Sequence, residues 1–181
     1  MTPSTIVVFV AGAYRDVSSA KRDYRATKDY HYETNEMGSF DAAVLGRQDT
    51  GKMKIFRKYE EPTLHGELTG PGWGLATGLA IALFPSAAVG TNLLVGAPGA
   101  HGGISTFAGH VASGLGRENL LALGLLFDSA DAGLISATTE EMLPTALTAM
   151  QATDTTRISV ADIDMEDLES DIRGAYGEAI R

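Results

Sequence analysis

The chain has 181 residues, enough for one domain or for one domain that carries a large insertion. It contains no cysteine, which excludes disulfides, thiolate metal sites and cysteine nucleophiles and fits a reducing compartment such as the cytoplasm. The formal net charge is −9, and because an acidic surface repels phosphate backbones we expect no nucleic-acid partner.

The N-terminal third predicts a strand, a helix and a hairpin. Thr5–Tyr14 is a continuous apolar, β-branched run, typical of a strand covered on both faces. Asp16 can cap a helix that begins directly after it. Ser39–Gln48 and Lys52–Glu60 are predicted strands, joined by a turn in which Gly51 takes the positive φ.

Residues 68–116 carry no charged side chain at all, in a chain where charged residues make up 20%. Small residues recur there at intervals of four and share one helix face, so another backbone can approach closely. A second helix is predicted over Gly102–Gly116, with a small-residue face of its own. We predict a helical hairpin that self-associates through Gly70, Trp73, Gly74, Gly78, Ala82, Ser105, Gly109 and Ala112.

The C-terminal part again alternates helices and strands. Glu118–Phe127 is a short predicted helix and Asp131–Thr139 a strand. Thr139 can cap a helix over Glu140–Ala152, and Arg157–Ile163 is predicted to be a second buried strand.

Two strand–helix–strand units thus flank the uncharged block. We predict an α+β fold: a ferredoxin-like split β-α-β frame with an inserted Gly/Ala-rich helical hairpin. The frame would comprise residues 1–63 and 129–181 as one discontinuous domain, and the insertion residues 64–128.

The segments TIVVFVAGAYRDVSSAKRDY and DAAVLGRQDTGKMKIFRK, followed by the glycine-rich block, resemble a bacterial family of domains of unknown function. Some of its members are labelled predicted membrane proteins or stress proteins. The resemblance implies a small α/β frame that holds a glycine-rich helical hairpin. It implies no established activity, and no catalytic residue can be carried over from it.

Composition argues against two other roles for the block. A membrane crossing needs ~20 predominantly apolar residues, whereas the best candidate, Leu68–Phe84, has 17 and contains Pro71. A P-loop needs a lysine, and the block has none. Homo-oligomerisation is the expected way to cover the apolar surface, and membrane association is the lesser alternative.

Candidate chemistry is sparse elsewhere. His31 and His65 each precede a carboxylate by two residues, but we interpret them as a helix and a loop residue rather than metal ligands. There is no G-x-S-x-G nucleophile motif. A set of aromatic residues could stack on a ligand: Tyr24, Tyr30 and Tyr32, with Arg22 and Arg25 nearby. On a helix, however, Tyr24 is expected in the core and the other two tyrosines at its rim.

These patterns predict a non-enzymatic, cytoplasmic, self-assembling protein with no catalytic, cofactor or metal site. One alternative is a small-molecule or metal sensor with a pocket between sheet and hairpin, its ligand unknown. The other is a membrane-associated oligomer that uses the same hairpin.

Overall fold

The secondary structure confirms the α+β class. The computed structural model describes residues 5–34, 41–60, 75–85, 100–153, 155–164, 166–168 and 170–171. Its strands are β1 (Thr5–Tyr14), β2 (Asp41–Arg47), β3 (Met53–Glu60), β4 (Ala132–Thr138) and β5 (Thr155–Ile163). Its helices are α1 (Val17–Thr34), α2 (Leu75–Leu83), α3 (Ala100–Leu115), α4 (Arg117–Asp128) and α5 (Leu143–Ala149).

The strands form one antiparallel sheet in the order β3-β2-β4-β1-β5. β4 lies between β1 and β2 and pairs antiparallel with both, so β1 and β2 run parallel to each other without pairing. β1 lies in turn between β4 and β5. The segments β1-α1-β2 and β4-α5-β5 therefore interleave their strands in one sheet.

Both faces of the sheet are covered by helices, because the side chains of a strand alternate between the faces. Val7 and Phe9 of β1 belong to one apolar core, which they share with α2, α3 and α4. Val8 and Val10 belong to a second core, shared with α1 and α5. The described helices α2, α3 and α4 thus pack on one face of their own chain's sheet.

The β2–β3 hairpin follows its sequence signals. Gly51 has a φ of 83°, the left-handed value that the predicted turn requires. A β-bulge leaves Phe56 as the extra residue of β3. Its ring lies against Gly46, where any side chain would overlap it. The glycine in β2 therefore makes room for the bulged aromatic ring.

The prediction that Arg157–Ile163 is a buried strand is wrong for one of its faces. Ser159 and Ala161 of β5 are buried, but Ile158 and Val160 are exposed. β5 is an edge strand, and among the described residues the core formed with α1 and α5 includes no residue of β5. An edge strand is covered on fewer sides, so its apolar run does not imply burial on both faces.

Helix α5 begins later than its capping signal indicated. Thr139 accepts a hydrogen bond through Oγ1 from the N–H of Met142, at 3.4 Å, but residues 140–142 form turns. The helix itself begins at Leu143, so Pro144 lies in its first turn. Proline is tolerated there because a first-turn N–H has no partner within the helix.

Candidate functional site

The first part of the predicted self-association surface, from Gly70 to Ala82, lies partly in α2. Gly70, Trp73 and Gly74 lie outside the described residues. Gly78 is buried, and Ala82 is half-buried. Helix α2 packs against α3 and against the sheet of the same chain. The described residues of this part of the surface are therefore covered within one copy of the protein.

The second part of the predicted self-association surface, Ser105, Gly109 and Ala112, lies in α3. Ala112 is half-buried. Gly109 is exposed, and a Cβ added there would meet no described atom within 4 Å. At Gly114, by contrast, a Cβ would lie 2.7 Å from the carbonyl oxygen of Asp162 in β5. The close backbone approach in α3 is thus made at Gly114, and it joins the helix to the sheet rather than to another helix.

The outer face of α4 is the most apolar exposed helix surface among the described residues. Leu121 is 59% exposed and Leu125 is 70% exposed. Gly124 lies next to Leu121 at the edge of the same face, and a Cβ there would meet no described atom within 4 Å. Two projecting leucines thus share this face with an open position, whereas Leu123 and Phe127 on the other side of the helix are fully buried.

Opposite charges stand at the two ends of this face. Arg117 is the first residue of α4 and Asp128 the last, and both are exposed. At 3.6 residues per turn, Arg117, Leu121, Gly124, Leu125 and Asp128 lie within an arc of about 100°. We call these five residues the α4 outer face. Neither charged side chain forms an ion pair with a described residue.

Sequence reasoning missed this face. The run from Leu120 to Phe127 is apolar all round the helix, so periodicity does not indicate which leucines point outwards. Only the packing of Leu123 and Phe127 on the sheet decides it. The charges at the two helix ends were the available signal.

A second candidate site lies on the opposite face of the sheet, around Asp23. This carboxylate of α1 is only 3% exposed. Its Oδ2 accepts hydrogen bonds from the hydroxyl of Tyr14 at 2.8 Å and from the N–H of Ala152 at 2.9 Å. Its other oxygen, Oδ1, has no hydrogen-bond partner among the described residues.

Asp23 also lines a cavity of about 540 Å³. The cavity lies between α1 and the segment that follows α5, and its lining comprises Arg22, Asp23, Ala26, Tyr30, Ala149, Gln151 and Ala152. Its volume is within the range of small-molecule sites in proteins. The cavity brings together the predicted stacking residues Tyr30 and Arg22, whereas Tyr24 is buried in the core, as expected. It does not lie between the sheet and the hairpin, where a ligand pocket was predicted.

The proton in the Tyr14–Asp23 pair belongs to the phenol. Burial, and then the hydrogen bond to Asp23, raise the pKa of Tyr14 far above its ordinary value. Tyr14 therefore remains the donor and Asp23 the acceptor.

Replacing Tyr14 with phenylalanine is expected to lower the free energy of unfolding by about 1–3 kcal/mol near neutral pH, because buried Asp23 loses a donor. The gap between the two proteins should close above about pH 10, where the unfolded tyrosine ionises and the folded one does not. Urea denaturation from neutral to alkaline pH measures both effects. A gap that stays constant with pH would contradict the assigned proton position.

Few of the other candidate functional residues are among those that the structure describes. His31 is within α1, but its side chain lies outside the description, and so does His65. His110 of α3 is hydrogen-bonded to Asp171, with Nε2 and Oδ2 2.8 Å apart. Within the described residues, no group of three or more metal-binding side chains occurs. None of the helices in the described part of the chain is long and apolar enough to cross a bilayer.

Comparisons with protein-family models, curated proteins and solved structures found no match. The resemblance to a bacterial family of domains of unknown function therefore stays a prediction.

Proposed function

We propose that this protein is a non-enzymatic, self-associating module whose copies form a two-fold dimer through the α4 outer face. The observation that supports this best is the exposure of Leu121 and Leu125, at 59% and 70%, on a face that also contains an open glycine. Projecting leucines beside a gap make a surface that is complementary to itself. A two-fold interface pairs the same patch of both copies, so it requires such self-complementarity.

One antiparallel arrangement of two α4 helices satisfies both the apolar and the charged residues. With the helices paired head to tail, Leu121 lies opposite Gly124 of the second copy. Arg117 then lies opposite Asp128 of the second copy, because both pairs have the same midpoint in the helix. A parallel arrangement would place like charges side by side. Charge and shape thus favour the same register.

The placement of these charges is hard to explain within one chain. A helix dipole favours an anion at the N-terminus and a cation at the C-terminus. Glu118 in the first turn of α4 follows this rule, whereas Arg117 and Asp128 have the opposite placement. In an antiparallel pair of α4 helices, each of these two charged residues faces an oppositely charged residue of the second copy. The arrangement supports a contact between copies.

We expect a reversible dimer. The face of one 12-residue helix is at the small end of protein interfaces. A dissociation constant of about a micromolar, or somewhat weaker, fits a contact of this size.

The exposed Gly109 leaves room for a further contact through α3. The absence of cysteine supports a reducing compartment such as the cytoplasm.

Leu125→Asp or Leu121→Asp is expected to leave the protein monomeric. One substitution removes two leucine contacts per dimer, about 3 kcal/mol or more, and so weakens association about a hundredfold or more. Sedimentation velocity over a concentration series measures this. Leu147→Asp is the matched control, since Leu147 is exposed on α5, which packs on the other face of the sheet.

A charge swap tests the register itself. Arg117→Asp and Asp128→Arg should each weaken the dimer, and the double variant should restore it. Equal masses for the wild type and all these variants would contradict the proposal, as would a wild type that stays monomeric at the highest concentration.

For the fold, we propose a ferredoxin-like frame to which β3 adds an edge strand. The order β5-β1-β4-β2, with α1 and α5 on one face, supports this arrangement. The segment between β3 and β4 is then an insertion that supplies the helices of the opposite face.

A further inference from the structure

We propose that the cavity beside Asp23 binds a small zwitterion that carries a primary ammonium group and a carboxylate, as free amino acids do. The proposal rests on the unpaired oxygen of Asp23, on the guanidinium of Arg22 and on the size of the cavity that both residues line. It is independent of the dimer, because α4 packs on the other face of the sheet.

Asp23 provides the recognition of a cation. Its Oδ2 is held by Tyr14 and by the backbone of Ala152, so the carboxylate has a fixed orientation. Burial raises the pKa of Tyr14, so its hydroxyl keeps the proton and is the donor in this hydrogen bond. Its Oδ1 has no hydrogen-bond partner among the described residues, although the residue is 97% buried. Oδ1 is not among the buried side-chain atoms that lack a partner, so it is open to the cavity, where a ligand ammonium can donate to it.

Arg22 provides the recognition of an anion. It is adjacent to Asp23 in α1, lines the same cavity and is exposed, as a residue at the cavity mouth would be. A guanidinium binds a carboxylate through two parallel hydrogen bonds. The cation beside Asp23 also disfavours a metal ion at this place. A ligand with both charges satisfies both side chains at once.

The rest of the lining is uncharged and leaves space for the side chain of the ligand. Ala26, Ala149 and Ala152 leave space and contribute no charge, and the ring of Tyr30 adds an apolar wall. A volume of about 540 Å³ holds an amino acid of any size together with some water. The cavity thus favours the common backbone of amino acids and discriminates less among their side chains.

Isothermal titration calorimetry on the full-length protein, with each of the twenty free L-amino acids in turn, tests the proposal. We expect saturable binding of at least one of them. For the tightest one, the matching amine without a carboxylate and the matching acid without an ammonium group should bind about tenfold more weakly or worse. The proposal is overturned if no amino acid binds, or if the amine alone binds as tightly.

Two variants locate the site. Asp23→Asn retains an oxygen that can accept from Tyr14 and Ala152, but it presents an NH₂ group to the ligand. Arg22→Met removes the guanidinium from an exposed position, where no loss of folding is expected. Each should reduce the affinity about tenfold or more, whereas Arg25→Met, an exposed arginine of α1 outside the cavity lining, should not change it. Wild-type affinity in Arg22→Met would overturn the proposal, even if Asp23→Asn did not fold.

Discussion

Truncating Phe127 to alanine is expected to lower the free energy of unfolding by about 3–5 kcal/mol, which is the largest loss for any single side chain considered. Phe127 is 0% exposed, and its ring packs edge-on against Phe84, with centroids 6.0 Å apart. The same ring also lies against Gly133 in the central strand β4. The side chain therefore fastens α4 to the middle of the sheet, and its loss leaves a cavity there.

Chemical denaturation of the monomer measures this loss. Leu125→Ala is the matched control in the same helix, and since Leu125 is 70% exposed we expect a change within about 0.5 kcal/mol. A Cβ added at Gly133 would overlap the Phe127 ring, so Gly133→Val should also be destabilising. Similar losses for Phe127→Ala and Leu125→Ala would show that Phe127 does not fasten α4 to β4.

Alanine at Gly114 and alanine at Gly109 are expected to change stability in opposite directions, although both replace a glycine in α3. In a helix exposed to solvent, alanine is favoured over glycine by about 1 kcal/mol. Gly109 is open, so Gly109→Ala should stabilise the protein by up to that amount. At Gly114 the new Cβ would lie 2.7 Å from the backbone oxygen of Asp162, which cannot turn away as a side chain could.

We expect Gly114→Ala to destabilise the protein by about 1–3 kcal/mol, as overpacked core positions do. The free energies of unfolding of both variants, measured beside the wild type, give the comparison. Stabilisation of both variants by the same amount would mean that α3 is not docked on β5 at this point.

Local signals predicted most elements of the fold. The β-branched run Thr5–Tyr14 is β1, and the turn glycine Gly51 has the expected positive φ. Asp16 caps α1 as predicted, since its Oδ1 accepts a hydrogen bond from the N–H of Ser19 at 2.6 Å. Each of these features depends on residues a few positions apart, so the sequence alone contains the information.

The features that were missed depend on residues far apart in the chain. Asp23 and Ala152 are 129 residues apart, and only the packing of α1 beside α5 brings them together. The exposure of Ile158 depends on the place of β5 at the edge of the sheet. The outward face of α4 depends on which side of the helix meets β4. None of these three features can be inferred from the periodicity of the sequence.

The position of β4 between β1 and β2 also constrains how the chain folds during synthesis. Neither β1 nor β2 has its central neighbour until Thr138 has been added, 78 residues after the last residue of β3. At about 5–20 residues per second, this interval is roughly 4–16 s. During that time α2 and α3 are synthesised before the sheet on which they pack can form. The apolar residues of these helices therefore have no complete sheet to cover until β4 has been made.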